Sequence, residues 1–158
     1  MLAKIRVHKE GMGSSLPRAV DLLRFSESDI RERLLEKGYA YDEELLVIGF
    51  EDWECDINMT LHEAYMLKIV LEQYYDGDEF IICHMIKSHR PVEDLIYSHY
   101  RFLSKSEVET MQHILKNSDQ NSLVAYFYKV NNWVNLVQSY IEAGILLNTS
   151  RGFYELHE

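Results

Sequence analysis

Residues 45–60, LLVIGFEDWECDINMT, decide the fold of this chain, because an apolar run there gives way to acidic residues and then to a helix start. Residues 45–50 (LLVIGF) are apolar enough to form a buried strand. Thr60 and Glu63 stand three positions apart, which is the spacing of a capping box at the beginning of a helix. The stretch therefore predicts a strand, a short acidic connection and an amphipathic helix.

The residues before this stretch predict the rest of a small lobe. Residues 3–8 (AKIRVH) alternate apolar and basic side chains with a period of two, which indicates a half-buried strand, and residues 19–25 predict a second strand. A helix then begins after Ser26, the expected N-cap, and stops at Gly38, a typical helix-ending residue. The result is a β-β-α-β lobe over residues 1–57.

The middle of the chain predicts a helical lobe over residues 58–118. Residues 80–87 form a mostly apolar helix, and Pro91 fits the first turn of the next helix, with Tyr100 on its inner face. Residues 104–107 (SKSE) have the pattern of a further capping box. This lobe is expected to consist of short helices joined by connections of a few residues.

The last part of the chain predicts a helix and a β-hairpin over residues 119–158. Residues 123–130 (LVAYFYKV) are ambiguous between strand and helix. Asn132 is the expected cap of a final helix that Gly144 ends, and residues 145–157 form the hairpin. The predicted fold class is therefore α+β, with a β-β-α-β N-terminal lobe, a helical middle lobe and a C-terminal helix plus hairpin.

Composition limits the class of protein. The chain has 158 residues, 47% of them apolar and 27% charged, which is a globular balance. No apolar run approaches the roughly 20 residues that cross a bilayer, and the N-terminus lacks the apolar core of a signal peptide. Two cysteines make no disulfide framework. We expect a cytoplasmic protein with no membrane association.

The negative charge is concentrated in one quarter of the chain. The formal net charge is −10, a sign that argues against direct binding of nucleic acid. Residues 41–80 hold twelve acidic residues and one lysine, Lys68, whereas residues 1–40 are slightly basic. The plain interpretation is a solvated face that aids solubility. The alternative is a surface for a basic partner, because like charges at this density destabilise the fold.

The usual signatures of catalysis and cofactor binding are missing from the sequence. There is no Gly-rich nucleotide motif, and His62 lacks a second histidine four positions on, as a zinc helix needs. The acidic run before Cys55 is expected to raise the pKa of its thiol, and Cys83 is interpreted as a core residue. The expectation is no enzyme, no cofactor and no metal. The eleven tyrosines are interpreted mainly as core residues, a minority as anchors of a protein interface.

A resemblance adds a specific expectation at residues 47–54 (VIGFEDWE). A strand that ends in Asp–aromatic–Glu, followed by a short loop and a capped amphipathic helix, resembles the ArdA antirestriction family of mobile genetic elements. The likeness extends upstream through the turn and helix of residues 13–37. Downstream it includes the helices of residues 60–95, and it closes with the last helix and final strand within residues 134–155.

The resemblance implies an inhibitor rather than an enzyme. Proteins of that family are thin, elongated homodimers whose carboxylates imitate DNA phosphates and occupy the DNA-binding groove of type I restriction–modification complexes. By matched position, Asp52 and Glu54 belong to the Asp–aromatic–Glu motif, and Glu93 and Asp94 to a later helix start. The chain departs from the family in its slightly basic first 40 residues, in its localised acidity and in a shortened segment before the final strand.

The candidate partner-binding residues are the carboxylates that would act as phosphate mimics. Alternate residues of a strand, or helix residues three or four apart, offer charges at roughly the spacing of phosphates along one DNA strand. The expected partner is a nuclease or methyltransferase complex with a basic groove; the alternative is an ArdA-like protein that inhibits another nuclease or a CRISPR effector through shape. The candidates are Asp42, Glu43, Glu44, Glu51, Asp52, Glu54, Asp56, Glu63, Glu72, Asp76, Asp78, Glu79, Glu93 and Asp94.

Overall fold

The structure, a computed structural model, describes residues 1–8, 13–130 and 133–157. Runs of strands and runs of helices follow one another along this part of the chain, and two antiparallel sheets are present in it, which confirms the predicted α+β class. The elements are β1 (Leu2–His8), β2 (Ser14–Ser15), β3 (Val20–Asp21), α1 (Glu27–Glu36), β4 (Glu44–Phe50), β5 (Cys55–Thr60), α2 (Leu61–Tyr74), α3 (Phe80–Lys87), α4 (Val92–Tyr97), β6 (His99–Ser104), α5 (Glu107–Asn117), α6 (Gln120–Val130), α7 (Trp133–Glu142), β7 (Leu146–Thr149) and β8 (Gly152–His157).

The chain divides into two compact units, an N-terminal unit (Met1–Tyr97) and a C-terminal unit (Ser98–Glu158). Each unit has its own antiparallel sheet and its own helices. The finer division into lobes at residues 1–57, 58–118 and 119–158 stays a prediction.

The sheet of the N-terminal unit has the order β2-β1-β4-β5, and β3 also pairs with β1. Along β1 the side chains of Ala3, Ile5 and Val7 are buried and those between them are exposed, as the alternating pattern predicts. Helices α2 and α3 pack against β4 and β5. The core of the unit therefore lies between the apolar face of this sheet and the helices.

Two predicted helix starts of the N-terminal unit are confirmed in detail. The Ser26 hydroxyl accepts a hydrogen bond from the Asp29 N–H, and the Asp29 carboxylate accepts one from the Ser26 N–H. Thr60 and Glu63 form the same reciprocal pair at the start of α2. Each pair satisfies two backbone donors that the first helical turn would otherwise leave without partners.

Two details of the predicted N-terminal unit are corrected. The strand expected over residues 19–25 is only the short β3, because the Asp21 carboxylate accepts the Leu23 N–H and turns the chain. The strand β5, at residues 55–60, was not predicted. Its sequence CDINMT is too polar for a strand signal, and it forms because it is an edge strand with one exposed face.

The C-terminal unit has a sheet of order β6-β8-β7, covered by α5 and α7. Tyr100 was expected on a helix, but it lies on the unpredicted strand β6, where its hydroxyl donates to the Gly144 carbonyl at 2.6 Å. The helix after β6 is capped by Ser106, which accepts the Glu109 N–H, and not by Ser104 as predicted. Ser104 instead donates its hydroxyl proton to the Glu109 carboxylate.

The ambiguous residues 123–130 lie within the helix α6. The predicted cap Asn132 falls outside the described residues. The last helix ends at Glu142, and Gly144 follows it with a φ of +75°, a conformation that glycine adopts without steric cost. The C-terminal hairpin is confirmed, since β7 and β8 pair antiparallel. Among the described residues, no helix is both long and apolar enough to cross a membrane.

Candidate acidic interface

The acidic turn between β4 and β5 contains the Asp–aromatic–Glu motif. Trp53 turns inward, 7% exposed, and its ring packs on Phe50 with the centroids 4.4 Å apart. Burial of this indole anchors the turn, so that Glu51, Asp52 and Glu54 on either side of it are exposed. Glu54 has a φ of +50°, which reverses the chain into β5.

The carboxylate of Asp52 has partners within the fold. Its carboxylate accepts the Leu2 N–H at 2.8 Å and lies 2.8 Å from the amine of Met1. Burial by itself would raise the pKa of Asp52, but the hydrogen bonds from the Met1 amine and the Leu2 N–H, with the charge of the amine, outweigh it and hold the pKa below its ordinary value. Asp52 thus fastens the start of β1 to the acidic turn.

We predict that Asp52→Asn lowers the free energy of unfolding by about 1 kcal/mol at neutral pH, because the amide keeps the shape but loses the charged contact. A lowered folded-state pKa contributes stability above the ordinary aspartate pKa, about 4, and loses it as the pH falls through the folded value. The difference between the two proteins should therefore disappear in acid. Urea titrations at several pH values measure it; a constant difference from neutral pH into acid would contradict it. Glu54→Gln, two residues on, is the control without effect.

Asp56 also has an internal partner, although a weak one. Its carboxylate lies 3.7 Å from the Lys4 ammonium, and both side chains are largely exposed. An exposed pair of this kind contributes little to stability. It does, however, neutralise part of the charge that Asp56 would present to a partner.

A second acidic group, Asp42, Glu43 and Glu44, lies at the opposite end of β4. The Arg31 guanidinium fixes the backbone there by donating to the Tyr41 and Glu43 carbonyls at 2.9 and 3.0 Å. None of the three carboxylates has an ion pair or hydrogen bond within the described part of the chain. At about 3.3 Å per strand residue, Glu44 and the acidic turn are roughly 20 Å apart.

The helix α2 carries one candidate that the fold uses and one that it leaves exposed. Glu63 belongs to the capping box of α2, where its carboxylate accepts from both the N–H and the hydroxyl of Thr60. Glu72, in the last turn of α2, is exposed. Because its carboxylate caps α2, Glu63 has a structural role in the fold.

The link between α2 and α3 forms a third acidic group. Asp78 accepts the Phe80 N–H at 3.0 Å and so helps begin α3. Asp76, with a φ of +50°, and Glu79 are exposed, and the Glu79 side chain makes no capping bond. These two carboxylates are therefore available to a partner.

The pKa of the Cys83 thiol is affected by carboxylates of both the acidic turn and this link. Burial first, and then the charges of Cys55, Glu79 and Asp52 against that of Lys87, raise the pKa of Cys83 to about 12. Cys83 is half-buried rather than fully in the core. Helix α3 packs against β5, the strand that begins directly after the acidic turn. The pKa of Cys55 is also raised, by burial first and then by Asp56 and Asp52, in the predicted direction.

The last two candidates, Glu93 and Asp94, lie in the first turn of α4. Asp94 is 3.8 Å from the Arg90 guanidinium, one helical turn before it. Glu93 is exposed. Carboxylates in a first turn are favoured by the helix dipole, so this pair has a structural reason to be there.

The fourteen candidates therefore do not follow one strand or one helix. Five have partners within the fold: Asp52, Asp56, Glu63, Asp78 and Asp94. The acidic turn leads into β5 and the α2–α3 link leads into α3, and these two elements pack together, whereas the group at the start of β4 lies at the other end of that strand. We define the acidic surface as the carboxylates near the turn and link that have no such partner: Glu51, Glu54, Glu72, Asp76 and Glu79.

The basic side chains of the first 40 residues were not predicted as a site. Arg18, Arg33 and Lys37 line a cleft beside α1. The signal available in the sequence was the slight positive charge of this segment. Arg33 and Lys37 are one helical turn apart at the end of α1, a spacing visible in the sequence, whereas no local pattern places Arg18 beside them.

No group of three or more His, Cys, Asp or Glu within residues 1–8, 13–130 and 133–157 is arranged to hold a metal ion. The pKa of His84 is lowered by burial and by the charge of Arg90. Comparison of the chain with protein-family models, with curated proteins and with solved structures finds no match.

Proposed function

We propose that this protein is an anti-defence inhibitor that imitates DNA, with the acidic surface entering the DNA-binding groove of a type I restriction–modification enzyme. The proposal rests on the ArdA-like order of motifs and on one structural observation. The carboxylates of the acidic surface have neither ion pair nor hydrogen bond to the described residues. A function as an inhibitor, rather than an enzyme, remains part of the proposal.

The charge balance supports a basic partner. Unpaired carboxylates close to one another repel and lower stability, and this cost needs a compensating use. Carboxylates with a structural role have a hydrogen-bond donor within the fold: the Leu2 N–H for Asp52 and the Thr60 N–H for Glu63. The carboxylates of the acidic surface have no such structural contact.

A surface of this kind would meet a DNA-binding groove in the way DNA does. DNA-binding proteins place Lys and Arg opposite phosphates, about one charge per 1.7 Å of duplex axis. Exposed carboxylates steer quickly toward such a groove, and the contacts weaken as salt screens them. The expected partner is cytoplasmic, and the proposed active form is a homodimer.

Salt dependence and DNA competition test the proposal. Binding to a susceptible restriction complex should weaken at least about tenfold between 50 and 200 mM NaCl, because screening acts on every charge pair at the interface. Duplex DNA carrying the recognition site should displace the protein. Affinity that is constant over this salt range, with no displacement by DNA, would contradict groove occupancy.

A second candidate is an ArdA-like protein that inhibits another nuclease or a CRISPR effector mainly through shape. Exposed aromatic side chains favour it: Tyr41 is 49% exposed, Tyr74 53% and Tyr97 69%. Tyrosine supplies much of the binding energy in many protein interfaces. Replacing Tyr97 by Ala would weaken a shape-based complex strongly, whereas a complex held by charge would lose little.

A further inference from the structure

A cleft of about 360 Å³ opens in the N-terminal unit between residues 16–21 and the helix α1. Its walls are mainly apolar, with Leu16, Val20, Phe25, Ile30 and Leu34 among them. The volume lies at the lower end of the range for small-molecule sites, and apolar walls with a few polar groups are typical of such sites.

Three cations, Arg18, Arg33 and Lys37, also line the cleft, and all are exposed. None has an ion pair or a hydrogen bond to the described part of the chain. The Arg33 guanidinium lies over the Phe25 ring, 4.3 Å from its centroid, which orients it at the cleft. Arg33 is therefore oriented at the cleft, and the charges of all three cations are left without an ion pair in the described fold.

The neighbouring carboxylates do not cancel this charge. Asp21, the acidic residue of the lining, accepts the Leu23 N–H at 3.0 Å and lies 4.0 Å from the Met1 amine. Asp29 feels the charge of Arg33, but its carboxylate accepts the N–H and hydroxyl of Ser26. The cleft is thus a locally positive site in a protein whose net charge is −10.

We propose that this cleft binds a small amphipathic anion, an apolar body with one carboxylate or phosphate head group. A guanidinium donates two parallel N–H groups that match either oxyanion, and Arg18 and Arg33 supply two of them. The apolar walls take the body of the ligand and exclude water around the head group. Arg18 also lines an adjoining groove with Glu51 of the acidic surface, but the two side chains form no ion pair.

The probe is 8-anilinonaphthalene-1-sulfonate, an aromatic body with one sulfonate, and its neutral analogue is N-phenyl-1-naphthylamine. We expect the sulfonate to bind the wild-type protein at one site. The variant Arg18→Met/Arg33→Met should weaken sulfonate binding at least tenfold and leave the neutral analogue unchanged. Lys87→Met, which removes one positive charge at an exposed position on α3, is the control and should bind both probes as the wild type does.

Competition then identifies the source of the head group. Displacement of the sulfonate by decanoate indicates an acyl carboxylate, and displacement by adenosine monophosphate indicates a phosphate; either supports the proposal. Failure of both to displace it would overturn the proposal, as would equal loss of the neutral analogue in the double variant. Equal loss in Lys87→Met would also overturn it, because the effect would then reflect overall charge. Circular dichroism checks that all variants are folded.

Discussion

On the proposed function, reversing Glu51 and Glu54 to lysine is expected to weaken inhibition of a susceptible type I restriction enzyme about a hundredfold or more. Both side chains are exposed beside the buried Trp53, and neither carboxylate has a partner in the described fold. Each reversal replaces an attraction to a basic groove by a repulsion, and a tenfold loss for each corresponds to about 1.4 kcal/mol. The measurement is the concentration of inhibitor that halves DNA cleavage.

The matched control is Glu32→Lys/Glu36→Lys on α1. It changes the net charge by the same amount, in the same unit and at exposed positions. If charge acts through position, the control should lose less than about threefold, whereas equal losses in the two variants would mean that net charge alone attracts the target. The reversal variant includes neither Asp52 nor Asp56, because their internal contacts would mix loss of binding with loss of stability.

The substitution Gly49→Ala is expected to destabilise the N-terminal unit by about 3 kcal/mol or more. Gly49 lies on β4 with a φ of +157°, and a Cβ there would meet the Cys55 carbonyl oxygen at 2.6 Å and Asp56 as well. The register between β4 and β5 shifts at this point, so the two backbones approach closely. Backbone strain and overpacking each cost about 1–3 kcal/mol.

Urea denaturation followed by Trp53 fluorescence measures this loss, in a Trp133→Phe background that leaves one tryptophan. Gly38→Ala is the control, because Gly38 also has a positive φ, +87°, but no atom lies within 4 Å of the added Cβ. It should cost only about 1 kcal/mol. A Gly49→Ala protein as stable as the control would show that β4 and β5 separate easily at this point.

Local patterns predicted those parts of the fold that depend on neighbouring residues. The N-cap at Ser26 and the capping box at Thr60 were predicted correctly because a cap is a contact over three residues. The alternation along β1 and the apolar run of β4 identified both central strands of the sheet. The hairpin of β7 and β8 was predicted for the same reason, since its turn is short.

Strands that depend on distant partners were missed. The strand β6 pairs with β8, so that Tyr100 lies opposite Leu156. No local sequence pattern near Tyr100 predicts that pairing. The edge strand β5 has Asp56 and Asn58 in its middle, which are poor strand residues. Pairing across a sheet overrides such preferences when one face of the strand is exposed.

The sequence by itself determined the α+β class, the helix starts after Ser26 and Thr60 and the concentration of carboxylates in residues 41–80, because these follow from residue identity and short spacing. Only the tertiary structure decided how those charges are used. It joins Asp52 to the Leu2 N–H across 50 residues, leaves Glu51 and Glu54 exposed, and gathers Arg18 and Arg33 at one cleft. A structural carboxylate and an exposed one are chemically identical. They differ only in their contacts, and those contacts form between residues that are distant in sequence.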